Sequence, residues 1–279
     1  MTNEHTLTLC ADDYGLAPGV SQAIRDLILN RRLHATGCMT GSLYWPQQAQ
    51  LLKPLEGLAH FGLHITLTQQ TPLGPMPHLA PNGKLPHPDA LVMRAWMGRV
   101  DRAEIAAEIN RQLDAFEAAM GRQPDFLDGH HHVHHLPIIR DVVLDVWLNR
   151  LGRRGWIRSC WESPALLMRR GVDSLRASII SALGWRWHQM MKHQRIPHNQ
   201  SFRGVYDLTD KVPFADLFSI FTDQPQPRTL VMVHPGLVDT ALIVADSLTD
   251  QRENEFAFLA SDQCGQILDQ RGISLTKLF

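Results

Sequence analysis

The chain has 279 residues, is 44% hydrophobic and 20% charged, and carries a formal net charge of -1. That length supports one α/β barrel or two smaller domains, and the near-neutral charge excludes a general electrostatic pull toward nucleic acid or an anionic membrane. Histidine is the outlier, with 15 residues, five of them between His130 and His135.

In chain order, Thr6 to Ala11 reads as a short apolar strand, and a loop runs from there through Pro18. A helical pattern covers Val20 to Arg31, with Ile24, Leu27 and Ile28 on one face. Ala35 to Ser42 is a second strand, Pro46 to Leu52 a short helix, and Leu58 to Leu67 a third strand. Residues 69 to 90, rich in Pro, His and Gly, form a long loop of the kind that often covers a site. Arg102 to Met120 is an amphipathic helix with Ile105, Ile109, Leu113 and Phe116 on one face. Asp125 to Val133 is a histidine-bearing strand, followed by a helix over Pro137 to Leu151. Gly155 to Cys160 is strand-like, and Pro164 to Pro197 is a basic, mostly helical insert. The chain then reads as an extended segment at Arg203 to Leu208, a helix at Pro213 to Phe221 and a strand at Thr229 to Val233. A helix at Leu248 to Asp269 and a strand at Gly272 to Leu278 end it. This alternation predicts parallel strands with crossover helices, about seven strands in an irregular TIM-like (β/α) barrel. No linker divides residues 1–279, so one domain is expected.

Cys10, Cys38, Cys160 and Cys264 are scattered without CxxC pairing, and the first three lie in apolar runs where a buried inert thiol is expected. Without a signal-peptide pattern or a membrane-spanning apolar run, a reducing, cytoplasmic location is expected.

Four strand-like segments end in residues that bind metals or move protons. Asp12 and Asp13 close the first, and both can serve one site only if the backbone bends there, because neighbouring strand residues face opposite ways. Alone, such a pair is more often a turn or helix cap. His64 ends the Phe61-Gly62-Leu63 run, where a structural imidazole is the commoner case. In the run Asp128-Gly129-His130-His131-His132-Val133-His134-His135, the residues His130, His132 and His134 would share one strand face, with Asp128 available to orient an imidazole. An adventitious histidine tract is the plain alternative. His234 follows Leu230-Val231-Met232-Val233 and precedes a Pro-Gly turn. Carboxylates and imidazoles at successive strand ends suit a hydrolytic metal site.

The segments Ala11-Asp12-Asp13-Tyr14-Gly15, Gly62-Leu63-His64-Ile65, Asp128-Gly129-His130-His131-His132-Val133-His134 and Val233-His234-Pro235-Gly236 resemble the YdjC-type carbohydrate deacetylases. That family includes chitooligosaccharide deacetylases and a branch linked to hopanoid biosynthesis. Phe202-Arg203-Gly204 and the helix from Arg252 to Leu259 also look like family segments. The resemblance implies an irregular barrel and a divalent metal, magnesium or zinc, held by Asp13, His64 and His130. It also implies Asp12 as base, His234 as acid or oxyanion partner, an acetylated carbohydrate as substrate, and a homodimer. In this chain Gly129 stands where many relatives have Ser, and the Arg158-to-Pro164 stretch matches only loosely, which leaves Glu162 without a clear part.

The basic insert carries Arg169, Arg170, Arg176, Arg186, Lys192 and Arg195 against the single acid Asp173. It reads as a cover for an acidic or lipid-linked substrate, as a membrane-surface helix, or as a solvated or dimer-forming helix. Tyr14, Trp45, Trp161 and Trp185 are candidates to stack on sugar rings, with a core role as the plain alternative. Other functions open to the same constellation are a different metallohydrolase (ester or phosphate), a non-catalytic sugar-binding or metal-storage protein, and an iron oxygenase.

Overall fold

The computed structural model describes residues 5–209 and 211–279. Eight strands form one sheet in which each pairing is parallel. In chain order the elements are β1 (His5–Tyr14), α1 (Pro18–Leu29), β2 (Ala35–Cys38), α2 (Trp45–Leu52), β3 (His60–Ile65), α3 (Pro88–Trp96), α4 (Arg102–Met120) and β4 (Phe126–Gly129). Then come α5 (Ile139–Asp145), β5 (Trp156–Ile157), α6 (Pro164–Arg169), α7 (Ser174–His193), β6 (Ser201–Arg203) and α8 (Phe214–Phe221). The chain ends with β7 (Thr229–Val233), α9 (Thr240–Ala245), α10 (Asp250–Ala260), α11 (Asp262–Gln270) and β8 (Ile273–Leu275). The strand order is β5-β4-β3-β2-β1-β7-β6, with β8 paired to the first residues of β1. The expected curled α/β barrel is therefore present, with β8 as a short addition to the seven main strands.

β1 is central and buried on both faces from Leu7 to Tyr14, which is why its sequence is a near-continuous apolar run rather than an alternating one. Alternate residues of the strands meet inside the curl. Cys10, Ala35, Phe126, Trp156, Phe202, Leu230 and Met232 form one packed cluster there, with Phe126 stacked on Trp156 at 4.1 Å. Two residues further along these strands the interior changes character and presents Asp12, His64, Asp128, Arg158 and His234. The period of two that fills the barrel with apolar side chains thus delivers charged and imidazole groups at its C-terminal end.

Between β5 and β6 there is no strand ladder. Ile157 N–H donates to Pro197 O at 2.9 Å, and the Asn199 side chain does the rest. Its Oδ1 accepts from Ser159 N at 2.7 Å, and its Nδ2 donates to Ser159 O at 2.7 Å and Ser201 O at 3.1 Å. One buried amide bridges the seam.

The helix Arg102–Met120 and the strand Thr229–Val233 have the bounds expected from pattern. Elsewhere the structure differs. The long loop after β3 gives way to α3 at Pro88, and its Met76, Leu79 and Leu85 pack into the core against α4 instead of standing clear as a flap. The expected single helix at 248–269 is two, because Ser261 is extended (ψ 160) and its side chain caps α11 by accepting from Cys264 N. The helix from Pro137 begins at Ile139 and ends in a π turn over Val146–Arg150. In the basic insert, α7 buries Trp187 and Met191 and leaves Leu175, Trp185 and its arginines outside. No helix among the described residues is long and apolar enough to cross a membrane.

Candidate metal centre

The bend required by the acidic pair is present. The register of β1 against β2 jumps between Ala11 and Tyr14, and Asp13 sits at φ 69°. Asp12 keeps the inward direction of Cys10 while the bulge turns Asp13 to the same site. His64 is inward on β3, and glycine on the adjacent strand makes room for it. A Cβ at Gly37 would lie 2.7 Å from His64 Nδ1.

The histidine run does not continue β4. The strand stops at Gly129, and His130–His135 forms a tight 3-10 turn in which His131 and His132 have φ 52° and 58°. The expected shared strand face of His130, His132 and His134 is therefore corrected. His130 turns toward Asp13, whereas His132 and His134 turn elsewhere.

Asp13 Oδ1 lies 2.9 Å from His130 Nδ1 and 3.4 Å from His64 Nε2. It is buried and yet has no aligned hydrogen bond. One ligand atom from each of Asp13, His64 and His130 falls within 4.8 Å of the others. The other imidazole nitrogen of His64, Nδ1, donates to Asp128 Oδ1 at 2.7 Å, so Nε2 is the nitrogen left to face Asp13. The orphaned carboxylate oxygen and two imidazoles near it are a donor set that a divalent cation would satisfy. Burial opposes charging of His64, but the Asp128 and Asp12 carboxylates outweigh it and push the imidazole up to about 10, so a cation bound here would displace a proton from Nε2. Burial likewise works against Asp13, yet His130 and Arg252 hold it well below the carboxylate range.

Asp12 stands beside this centre, its Oδ2 3.9 Å from His64 Nε2. Arg158 clamps it through two bonds, Nη1 to Oδ2 at 2.8 Å and Nη2 to Oδ1 at 2.6 Å. The same Nη2 lies 2.6 Å from Asp128 Oδ2 and 3.0 Å from Cys10 Sγ. Burial would raise the Asp12 carboxyl, but Arg158 prevails and brings it to about 2. His234 closes β7 with its backbone N–H donated to Glu255 Oε2 at 2.6 Å, while its Nδ1 is buried without a partner. Burial holds the His234 imidazole below its ordinary value despite Asp12 and Asp13 nearby.

The profile of the YdjC-like protein family matches residues 6–270. The chain belongs to the YdjC-like family. A chitooligosaccharide deacetylase of Yersinia pestis (strain Pestoides F) is 38% identical over 273 residues, which is 98% of this chain and 97% of that protein. Among solved structures, a protein of Enterococcus faecalis V583 described as a cellobiose-phosphate cleavage protein superposes at a TM-score of 0.72 with 20% identity, over 99% of this chain and 98% of its own. A family 4 acetyl xylan esterase from Clostridium thermocellum, solved in complex with a cobalt ion, gives a TM-score of 0.50 at 10% identity, over 98% of this chain and 88% of its own. These two structural likenesses are likenesses of fold.

The remaining expected site residues of this YdjC-like chain are placed apart from the centre. Tyr14 is fully buried and donates its hydroxyl to Gln48 O at 2.7 Å, so it is a core residue and not a sugar platform. Trp45 is likewise buried, stacked on Phe116 at 5.6 Å. Arg203 points into a separate network, bonding Glu162 Oε2 through Nε at 3.2 Å and the carbonyls of Phe221, Asp223 and Gln224. That gives Glu162 its part, as the buried counter-charge of Arg203. His132 meets Phe202 edge-on at 5.6 Å and lies 3.5 Å from Cys160 Sγ. His134 is buried and bonds Arg158 O through Nε2 at 3.2 Å. It also explains Gly129, since a Cβ there would come within 2.9 Å of His134 Nδ1. His134, His135 and Cys160 make a second group of close donors, but the Nε2 atoms of both imidazoles are engaged with backbone at Arg158 O and Cys160 N.

Sequence reasoning gave no role to Arg158, Arg252 or Glu255. Arg158 was within reach of it, being the next inward position after Trp156 on β5. Arg252 and Glu255 come from α10, where Arg252 Nη2 bonds Asp13 Oδ2 at 2.6 Å, and only the folded chain brings them to β1 and β7. Glu255 also accepts the Tyr206 hydroxyl. Burial pushes its carboxyl from 4.5 up to about 7. A carboxyl raised in the folded state favours folding below pH 4.5 and loses that contribution as pH climbs through 7. Glu255→Gln removes the ionisation but also one acceptor. The variant is therefore expected to be less stable than the parent at pH 5, with the deficit shrinking by on the order of 3 kcal/mol by pH 8. Thermal unfolding of both proteins at pH 5, 6, 7 and 8 checks this, and a constant gap would overturn it.

Proposed function

We propose that this YdjC-like chain is a metal-dependent carbohydrate N-deacetylase, releasing acetate from an N-acetylated amino sugar such as a chitooligosaccharide. The observation that carries this reading is the convergence of His64 and His130 on the orphaned Asp13 Oδ1, with a second carboxylate, Asp12, held beside it. Metal binding alone has no use for that spare carboxylate, which argues against an inert binding protein. The relative named for chitooligosaccharide deacetylation, similar along nearly its whole length, supports the substrate class.

Asp13, His64 and His130 would hold the cation. When bound, such an ion lowers the pKa of a coordinated water toward about 7 and polarises a carbonyl oxygen. Two imidazole donors favour zinc, iron, cobalt or manganese over magnesium. Asp12, ionised at every working pH because of Arg158, accepts the proton of the attacking water. The fork of Arg158 fixes the direction of that carboxylate, and Asp128 fixes the ring of His64. His234 passes a proton to the departing nitrogen; burial favours its neutral ring at rest, so that proton is one taken up in the course of the reaction. Water adds to the acetyl carbon, the C–N bond breaks, and acetate and a free amine leave.

The test is acetate release from a panel of N-acetylated sugars that includes diacetylchitobiose. Release is expected to be abolished by chelator and restored by added divalent metal. His64→Asn is expected to lose bound metal and activity together. Metal-replete protein that releases no acetate from any of these sugars would overturn the reading and direct the search to ester, phosphate or lipid-linked substrates.

A further inference from the structure

A second cavity lies outside the barrel, between the end of α6, the end of α8 and the turn from α11 to β8. It has a volume of about 260 Å³ and is unusually rich in arginine. Leu166, Phe202 and Phe221 supply its apolar wall, and Arg169, Arg170 and Arg271 face it from two parts of the chain. Arg203 and Glu162 also border it but neutralise each other. The Asp223 carboxylate is the remaining acid.

Three features mark the arginines as prepared for an anion. Arg170 is drawn in over the Phe221 ring, 5.4 Å from its centroid, and donates Nη2 to Val205 O, yet its Nε is buried without an acceptor. A half-buried guanidinium with a buried, unpartnered Nε and no carboxylate bonded to it costs free energy that an incoming oxyanion would recover. Arg169 is exposed at the rim, and its side chain makes no hydrogen bond or ion pair among the described residues. Arg271 spends only Nη1, on Ser219 O and Thr222 Oγ1. Burial pushes the Arg170 guanidinium below its ordinary range, although Asp173 and Glu162 counter this, so its charge is under-compensated as it stands.

We propose that this cavity binds the phosphate group of a small organic phosphate, with Arg169, Arg170 and Arg271 as its anion holders and the Leu166, Phe202 and Phe221 wall against the organic part. The volume, about 260 Å³, admits a ligand of monosaccharide size and falls just under the roughly 300–1,000 Å³ usual for ligand pockets. The site is separate from the Asp13 centre but shares a wall with it. The Phe202 ring meets His132 edge-on, and the Arg158 guanidinium lies 5.9 Å from the ring centroid. An occupant would thus sit one ring away from the clamp on Asp12.

The test is isothermal titration calorimetry of the metal-loaded protein with glucose 6-phosphate, inorganic phosphate and glucose. Both phosphates are expected to bind and glucose not to. Arg169→Ala, at an exposed position where folding is not at risk, is expected to weaken binding about ten-fold. Arg169→Ala/Arg170→Gln is expected to abolish it, and Arg169→Ala to leave acetate release without phosphate unchanged. The absence of binding to either phosphate overturns the proposal. So does binding that is equal in the parent and both variants, because the phosphate would then lie elsewhere, the Asp13 centre included.

Discussion

Asp12→Asn is expected to lower the turnover of acetate release by about a hundred-fold or more while bound metal is retained. The two aspartates are neighbours in sequence, but the bulge at Asp13 gives them different partners. Asp13 faces His64, His130 and Arg252, whereas Asp12 faces Arg158. An amide at position 12 keeps the size of the side chain and one acceptor for Arg158, but it cannot take a proton. Metal content by mass spectrometry and turnover on the best substrate of the panel, measured on the same sample, separate loss of the base from loss of the cation. Near-full activity with metal in place would remove Asp12 from the reaction. Loss of metal together with activity would instead mean that Asp12 belongs to the ligand set.

Arg158→Met is expected to cost about 3–5 kcal/mol of folding stability at neutral pH. Arg158 is fully buried and touches Asp12 and Asp128. The methionine fills much of the same space, so the loss is mainly electrostatic. Two carboxylates are left in a medium that solvates them poorly, and Asp128 loses a neighbour while still holding His64. The measurement is a denaturant unfolding curve for parent and variant, in the presence and absence of chelator. Unchanged midpoints would show that Asp12 and Asp128 do not depend on Arg158 for their charge. A large drop with Arg158→Lys as well would show that the two-pronged geometry, and not the charge alone, is what the site requires.

Much of this architecture was legible because strand periodicity and chemistry point the same way. In β7, Leu230 and Met232 lead up to His234 at alternate positions, and in β1 and β3 buried runs end in Asp12 and His64, so the run that identifies each strand also points to the polar side chain at its end. The α4 helix was equally plain, because Ile105, Ile109, Leu113 and Phe116 repeat at helical spacing and Asp101 caps its start. The histidine run was misread for a physical reason. Period two is a property of extended backbone, and the left-handed φ values of His131 and His132 end it after Gly129. Residue types alone do not announce that change. The helix from Arg252 to Leu259 stood out as a family segment, but the roles of its residues were hidden for another reason. Glu255 and Arg252 are separated from Asp13 by some 240 residues of chain, and helical spacing says only that they share a region of one helix, not that the region faces a carboxylate. Tyr14 was a candidate to stack on a sugar, and its core role, the plain alternative, is the one the structure shows, with the hydroxyl bonded to Gln48 O.

The seam between β5 and β6 has an evolutionary side. A barrel whose last junction is a continuous ladder cannot be widened there without sacrificing several backbone bonds at once. Here the junction rests on the Asn199 side chain and one backbone hydrogen bond from Ile157 to Pro197, so the segment between Ser163 and Arg195 can be lengthened, shortened or exchanged while the strands, Arg158 and Asn199 keep their partners. That segment carries α6 and α7 and borders the His130–His135 turn. Lineages of this fold therefore have a cheap place to alter what the site admits, with the chemistry on β1, β3 and β7 left in place.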